Sequence, residues 1–315
     1  MTTANAAMLD QIKSGQGFIA ALDQSGGSTP KALKGYGIEE DAFSNDEEMF
    51  GLIHSMRSRI VTSPCFNGEK VIGAILFERT MDGEAGGKPV PALLWERGVV
   101  PFLKVDKGLE SEVDGVQLMK ANPELDALCQ RAVAKGVFGT KMRSVVNLAN
   151  PAGIKAIVEQ QFAEAKRIAA HGLVPMIEPE VNIKSVERDG ADRLLLQEIL
   201  TALDAWDGAP VMLKLSLPTE AGLFQPLVDH PKVLRVVALS GGFARPEACA
   251  ELAKNPGIIA SFSRALLEDL RHQMSDDEFD ASLGGAIDQI HAASVACWRK
   301  AGAALTIISP GNCSA

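Results

Sequence analysis

Eight short β-rich apolar runs, separated by longer amphipathic stretches, constrain this chain more than any other feature. They are FIAALD (18–23), VIGAILFERT (71–80), VPFLKVD (100–106), GTKMRSVV (139–146), VPMIEPEV (174–181), PVMLKLS (210–216), LRVVALSG (234–241) and IIASFSR (258–264). Strand-length runs alternating with helical stretches are the pattern of βα units, which build a parallel sheet. Eight such units have a natural closed solution in the (β/α)8 TIM barrel, typically about 250 residues long. The expected fold is therefore α/β, a single (β/α)8 TIM barrel over residues 1–295. Between the runs, residues 151–170 carry apolar side chains at helical spacing and stop at His171-Gly172, and residues 276–295 read as a closing helix. Residues 296–315, with Gly302, Pro310 and Gly311, read as a C-terminal tail whose order the pattern leaves open.

Barrels of this kind build their active sites at the C-terminal ends of the strands. Here those ends are charged. Asp23 closes the first run, Glu78 the second, Lys104 and Asp106 the third, Lys141 and Arg143 the fourth, Glu178 and Glu180 the fifth, and Lys214 the sixth. A charge inside an apolar strand costs several kcal/mol unless it is paired or used. Any one of them could be an outward-facing residue or a structural ion pair. In KMR, EPE and LKL, however, the charges stand two apart or between leucines, so they share a side that can face the barrel interior. A desolvated lysine beside another cation loses its proton readily and becomes a nucleophile. Lys214, between Leu213 and Leu215, has the most apolar setting, and Lys141 can supply the neighbouring charge.

Two Gly/Ser segments, DQSGGSTPK (23–31) and SGG (240–242), offer backbone N–H groups ahead of helix starts, which suits phosphate. Either could also be a plain turn. The loops after strands seven and eight often hold phosphate in such barrels, and Arg264 would add a charge-assisted contact there. A net charge of -9 with interspersed signs argues against a nucleic-acid surface. The five histidines are scattered without ligand spacing, so no catalytic metal is expected. Five distant cysteines without CxxC pairs fit a reducing cytoplasm, and no apolar run is long enough for a membrane span. The first fifteen residues carry no targeting pattern.

The segments FIAALDQSGGSTPKAL, GAILFERTMD, GVVPFLKVDKG, FGTKMRS, GLVPMIEPEV, VMLKLSLPTE, VVALSGG and ASFSRAL resemble the successive strand motifs of class I fructose-bisphosphate aldolases. The short bacterial branch is the nearest match, in order from about residue 9 to 295. The resemblance implies a cytoplasmic, cofactor-free and metal-independent homo-oligomer that cleaves a sugar bisphosphate through a Schiff base. It makes Lys214 the imine-forming lysine and Glu178 the acid/base that assists dehydration. Lys141 would orient hydroxyls and ease deprotonation of the nucleophile, and Asp23 would steer cleavage of C3–C4. Glu180 and Lys104 would support them. Ser240, Gly241, Gly242, Ser261 and Arg264 are similar to the one-phosphate site, while Ser25, Ser28, Lys31 and Arg143 resemble groups near the six-phosphate. Animal members have an acidic residue where Gln24 stands and a C-terminal tyrosine that protonates the enamine, whereas the single tyrosine here is Tyr36. Glu178 is then the expected proton donor. Alternatives are a related aldolase preferring tagatose 1,6-bisphosphate and a non-catalytic barrel scaffold.

Overall fold

The eight runs form eight parallel strands in a computed structural model, which describes residues 3–304. They are β1 Phe18–Leu22, β2 Val71–Leu76, β3 Val100–Lys104, β4 Gly139–Val146, β5 Val174–Val181, β6 Val211–Ser216, β7 Val233–Leu239 and β8 Ile259–Ala260. Neighbours in sequence are neighbours in the sheet. The Ala21 N–H donates to the Phe262 carbonyl at 3.1 Å, joining the last strand to the first and closing the barrel.

Alternation along the strands divides the barrel interior by height. Ile19 and Ala21 on β1, Val100 and Phe102 on β3, Met176 on β5, Met212 on β6 and Ile259 on β8 fill its lower part. The next alternate positions upward are Asp23, Lys104, Glu178, Lys214 and Ser261. The same period that packs the floor with carbon thus delivers polar groups at the top. Helix Thr3–Ser14 plugs the bottom with Met8 and Ile12. The Ile12 and Lys13 carbonyls in its last turn, which no helical N–H can reach, and the Gly15 carbonyl just beyond it accept from the buried Arg235 guanidinium at 3.0 Å each. Outside the sheet, helix Pro151–Ala170 buries Ile154, Ile157, Val158, Ala165 and Ile168 along one stripe.

Several boundaries differ from the sequence pattern. β2 ends at Leu76, and Glu78 opens a short helix, Glu78–Asp82, instead of ending the strand. Its carboxylate pairs with Lys107 and Arg131 at the rim. β8 shrinks to two residues, although the Ser261 N–H still reaches the Ala238 carbonyl at 2.7 Å. The closing helix runs Asp276–Ala304, so the first part of the expected tail is helical. The remainder of that tail, residues 305–315, lies outside the described residues. Among the described residues, no helix is long and apolar enough to cross a membrane.

Candidate active site

At the C-terminal end of the barrel a cleft of about 1180 Å³ opens over the polar layer, and every site residue expected from the sequence lines it. Its floor holds a buried chain of alternating charges. Asp23 Oδ2 lies 2.9 Å from Lys141 Nζ, Lys141 Nζ lies 2.6 Å from Glu178 Oε2, and Glu178 Oε1 lies 3.0 Å from Lys214 Nζ. Glu178 therefore stands between the two lysines, with one oxygen for each. The four groups come from β4, β5, β6 and the residue after β1, so strand register sets their spacing.

Burial and charge pull these groups in opposite directions. Burial alone would raise the Asp23 pKa, but Lys141, Lys214 and Lys104 outweigh it and hold Asp23 well below the ordinary carboxylate range. Burial would lower the Lys141 pKa, yet Asp23, Glu178 and Asp106 hold it above the ordinary lysine range. Lys141 is thus a fixed cation. Higher in the cleft, Arg143 Nη1 pairs with Glu180 Oε2 at 2.8 Å and Lys104 Nζ with Asp106 Oδ1 at 2.6 Å.

The two Gly/Ser segments differ in which polar groups they leave unpaired. Gly241 and Gly242 have φ of +61° and +124°, which a side chain would strain. A Cβ on Gly242 would also sit 3.1 Å from an Arg264 nitrogen, so the bare backbone lets the guanidinium close in. Arg264 makes no ion pair among the described residues, and the buried Ser261 hydroxyl has no partner there. Ser240 completes this end of the cleft. On the opposite side the Ser28 hydroxyl is engaged locally, donating to the Ser25 carbonyl at 2.9 Å and accepting from the Ser25 N–H at 3.0 Å. Lys31, on the same short helix, keeps an unpaired ammonium among the described residues.

Three supporting residues were not assigned from the sequence. Asp106 accepts from Lys104, from the Arg143 N–H at 3.2 Å and from the Gly108 N–H at 3.3 Å. Buried Gln161 accepts the Glu178 N–H at 2.9 Å through its side-chain carbonyl and donates to the Ser144 hydroxyl. Buried Arg57 holds Gln24. The signal for the last two is a polar residue on an otherwise apolar helical stripe: Gln161 falls among Ile154, Ile157, Val158 and Ile168, and Arg57 among Met49, Ile53 and Ile60. No group of three His, Cys, Asp or Glu among the described residues is placed to hold a metal ion.

A family model for class-I fructose-bisphosphate aldolases matches residues 3–193. A fructose-bisphosphate aldolase class 1 of Porphyromonas gingivalis is 54% identical over 292 residues, 92% of this chain and 99% of that one. A solved fructose-bisphosphate aldolase from Plasmodium falciparum superposes with a TM-score of 0.76 at 19% identity, covering 93% of this chain and 94% of the other, and it shares the barrel fold. Family profile and close relative agree over most of the length, and the chain belongs to the class-I fructose-bisphosphate aldolase family.

Proposed function

We propose that the chain catalyses reversible cleavage of fructose 1,6-bisphosphate to dihydroxyacetone phosphate and glyceraldehyde 3-phosphate, with Lys214 as the imine-forming nucleophile. The placement of Glu178 carries this reading: one carboxylate oxygen serves Lys214 at 3.0 Å while the other is held by Lys141 at 2.6 Å. Of the two floor lysines, Lys141 is fixed as a cation between Asp23 and Glu178, which leaves Lys214 as the amine that can be freed for attack.

In this reading Lys214 passes a proton to Glu178, and its nitrogen lone pair attacks the C2 ketone. Glu178 returns the proton to the departing C2 hydroxyl, water leaves, and an iminium forms. Asp23 takes the C4 hydroxyl proton as the C3–C4 bond breaks. The electron pair of that bond moves into the iminium, giving an enamine and free glyceraldehyde 3-phosphate. Lys141, a permanent donor, orients the hydroxyls, with Lys104 and Glu180 supporting. Asp23 then releases its proton to water while Glu178 takes one up and delivers it to C3 of the enamine, and water hydrolyses the resulting iminium to dihydroxyacetone phosphate, freeing Lys214. Arg264, Ser261 and the Ser240–Gly242 backbone bind the C1 phosphate, and Lys31, Ser25, Ser28 and Arg143 serve the C6 phosphate, so both ends of the substrate hold the reacting bonds in register. A cytoplasmic homo-oligomer belongs to the same reading, and the free thiols of Cys65, Cys129 and Cys249 suit a reducing compartment.

Borohydride reduction in the presence of dihydroxyacetone phosphate, followed by peptide mass mapping, tests the assignment. An adduct on Lys214 is expected. No adduct, or one on Lys141, would sink it.

A further inference from the structure

Arg57 is 1% exposed and ranks among the largest fully buried side chains of the protein. A guanidinium out of water is expensive unless a counter-charge meets it. Its hydrogen-bond partners here are all neutral. Nη1 donates to Thr80 Oγ1 at 2.9 Å, and Nη2 donates to the Gln24 carbonyl at 2.5 Å and to Gln24 Oε1 at 3.2 Å. Nε has no partner among the described residues. Burial pushes the Arg57 pKa down to about 10, and Asp23 is the charge that pulls it back. Gln24 in turn donates through Nε2 to Ser263 Oγ at 2.6 Å. A neutral amide can accept from Arg57 and donate to Ser263 at once.

These contacts run from helix Asp46–Thr62, outside the barrel, through the end of β1 to the segment after β8. Asp23 precedes Gln24, and Arg264 follows Ser263. We propose that Arg57 is a positioning residue which, through Gln24, locks the ends of β1 and β8 together and so sets the spacing between the cleavage carboxylate Asp23 and the phosphate guanidinium Arg264. It touches neither reacting atom. This rests on the roles given to Asp23 and Arg264 above.

The test is kcat/KM per imine-competent site, with sites counted by borohydride trapping of dihydroxyacetone phosphate on Lys214. Arg57→Met and Ser263→Ala are each expected to lower kcat/KM per trapped site by about tenfold. Their double variant should be no worse than Arg57→Met within about twofold, because residues acting as a unit are not additive. Arg57→Lys should recover part of the loss. A merely structural arginine would reduce the number of trapped sites and leave each at its normal kcat/KM; that result, or full additivity, overturns the proposal. If Arg57→Met yields no soluble protein, Ser263→Ala alone decides by the same criterion. Failure of trapping in the unaltered protein would remove the aldolase reading and this proposal with it, whereas intact trapping with unchanged kcat/KM in the variants overturns the proposal alone.

Discussion

Lys141 and Lys214 carry the same side chain in the same buried layer, and their charged neighbours differ. Among the described residues, Lys141 pairs with two carboxylates, Asp23 and Glu178, whereas Lys214 pairs with Glu178 alone. A group wedged between two anions gives up its proton at a steep cost. In the proposed mechanism the lysine with a single carboxylate partner delivers its proton to that partner and attacks. Lys214→Met is therefore expected to abolish turnover and borohydride trapping together. Glu178→Gln should slow imine formation while leaving slow trapping measurable, because the amine survives and its proton acceptor does not. Near-normal turnover in Lys214→Met would show that the nucleophile lies elsewhere. Arg264 allows a second test at this scale. With no ion pair among the described residues to share it, its charge is free for a phosphate, and a charge-assisted contact of that kind contributes about 2–3 kcal/mol. Arg264→Ala should raise KM for the bisphosphate by on the order of a hundredfold. An unchanged KM would remove it from the site.

Elements position these residues, and here the buried polar groups matter most. The β5–β6 pairing ends at Ile177↔Leu213, one residue short of Glu178, and helix Pro151–Ala170 supplies the missing acceptor through Gln161. Gln161→Leu leaves a buried N–H unpaired, which costs about 1–3 kcal/mol. Lower stability in a urea titration is expected together with a reduced kcat, since the Glu178 backbone loses a restraint. Equal stability would mean that another acceptor takes over. Asp192, on helix Arg188–Ala205, makes a pH-dependent contribution. Burial raises its pKa to about 6, and the Thr219 N–H and Arg188 offset this only in part. The folded pKa lies above the unfolded value of 3.8, so between about pH 4 and pH 6 the unfolded chain ionises first and stability falls. Above about pH 6 the penalty is constant, on the order of 2–3 kcal/mol. Asp192→Asn removes it, so the stability of this variant relative to the unaltered protein should rise between pH 4 and pH 8. A flat difference would contradict the assignment. The hydrophobic period makes much of this scale legible in the sequence: β4, β5 and helix Pro151–Ala170 have the bounds that the pattern predicts. The inward charges of KMR, EPE and LKL follow from the same period of two. Glu78 does not, because β2 stops where a helix begins, and apolar alternation carries no mark of that point. Arg57 and Gln161 are visible as polar residues on buried stripes. Their partners are not, because Gln24 and Ser263 stand 239 positions apart and only barrel closure brings them together.

Across the whole molecule the barrel separates stability from chemistry by height. Helix Thr3–Ser14 and the Met176/Met212 layer close the lower end, and the charged layer lies above them, so changes at one end need not reach the other. The closing helix Asp276–Ala304 belongs to the supporting structure: Ser294 accepts the Ala260 N–H at 3.0 Å and braces β8 from outside. What remains is whether the segment after that helix takes part in the reaction. A carrier that protonates the enamine needs a donor with a usable pKa, and among the side chains of residues 305–315 (LTIISPGNCSA) the only titratable group is Cys313, whose thiol ordinarily titrates near 8.5. Glu178 already stands 3.0 Å from the Lys214 nitrogen, the proposed imine nitrogen. Tyr36, the single tyrosine, is buried in an aromatic cluster with His272 and Phe279, and its hydroxyl accepts from Arg59. Deleting residues 305–315 should therefore leave cleavage and exchange of the dihydroxyacetone phosphate C3 proton within about threefold, under ~1 kcal/mol of barrier. If C3 exchange instead fell a hundredfold while trapping on Lys214 persisted, the proton would come from that segment and Glu178 would be left with dehydration alone.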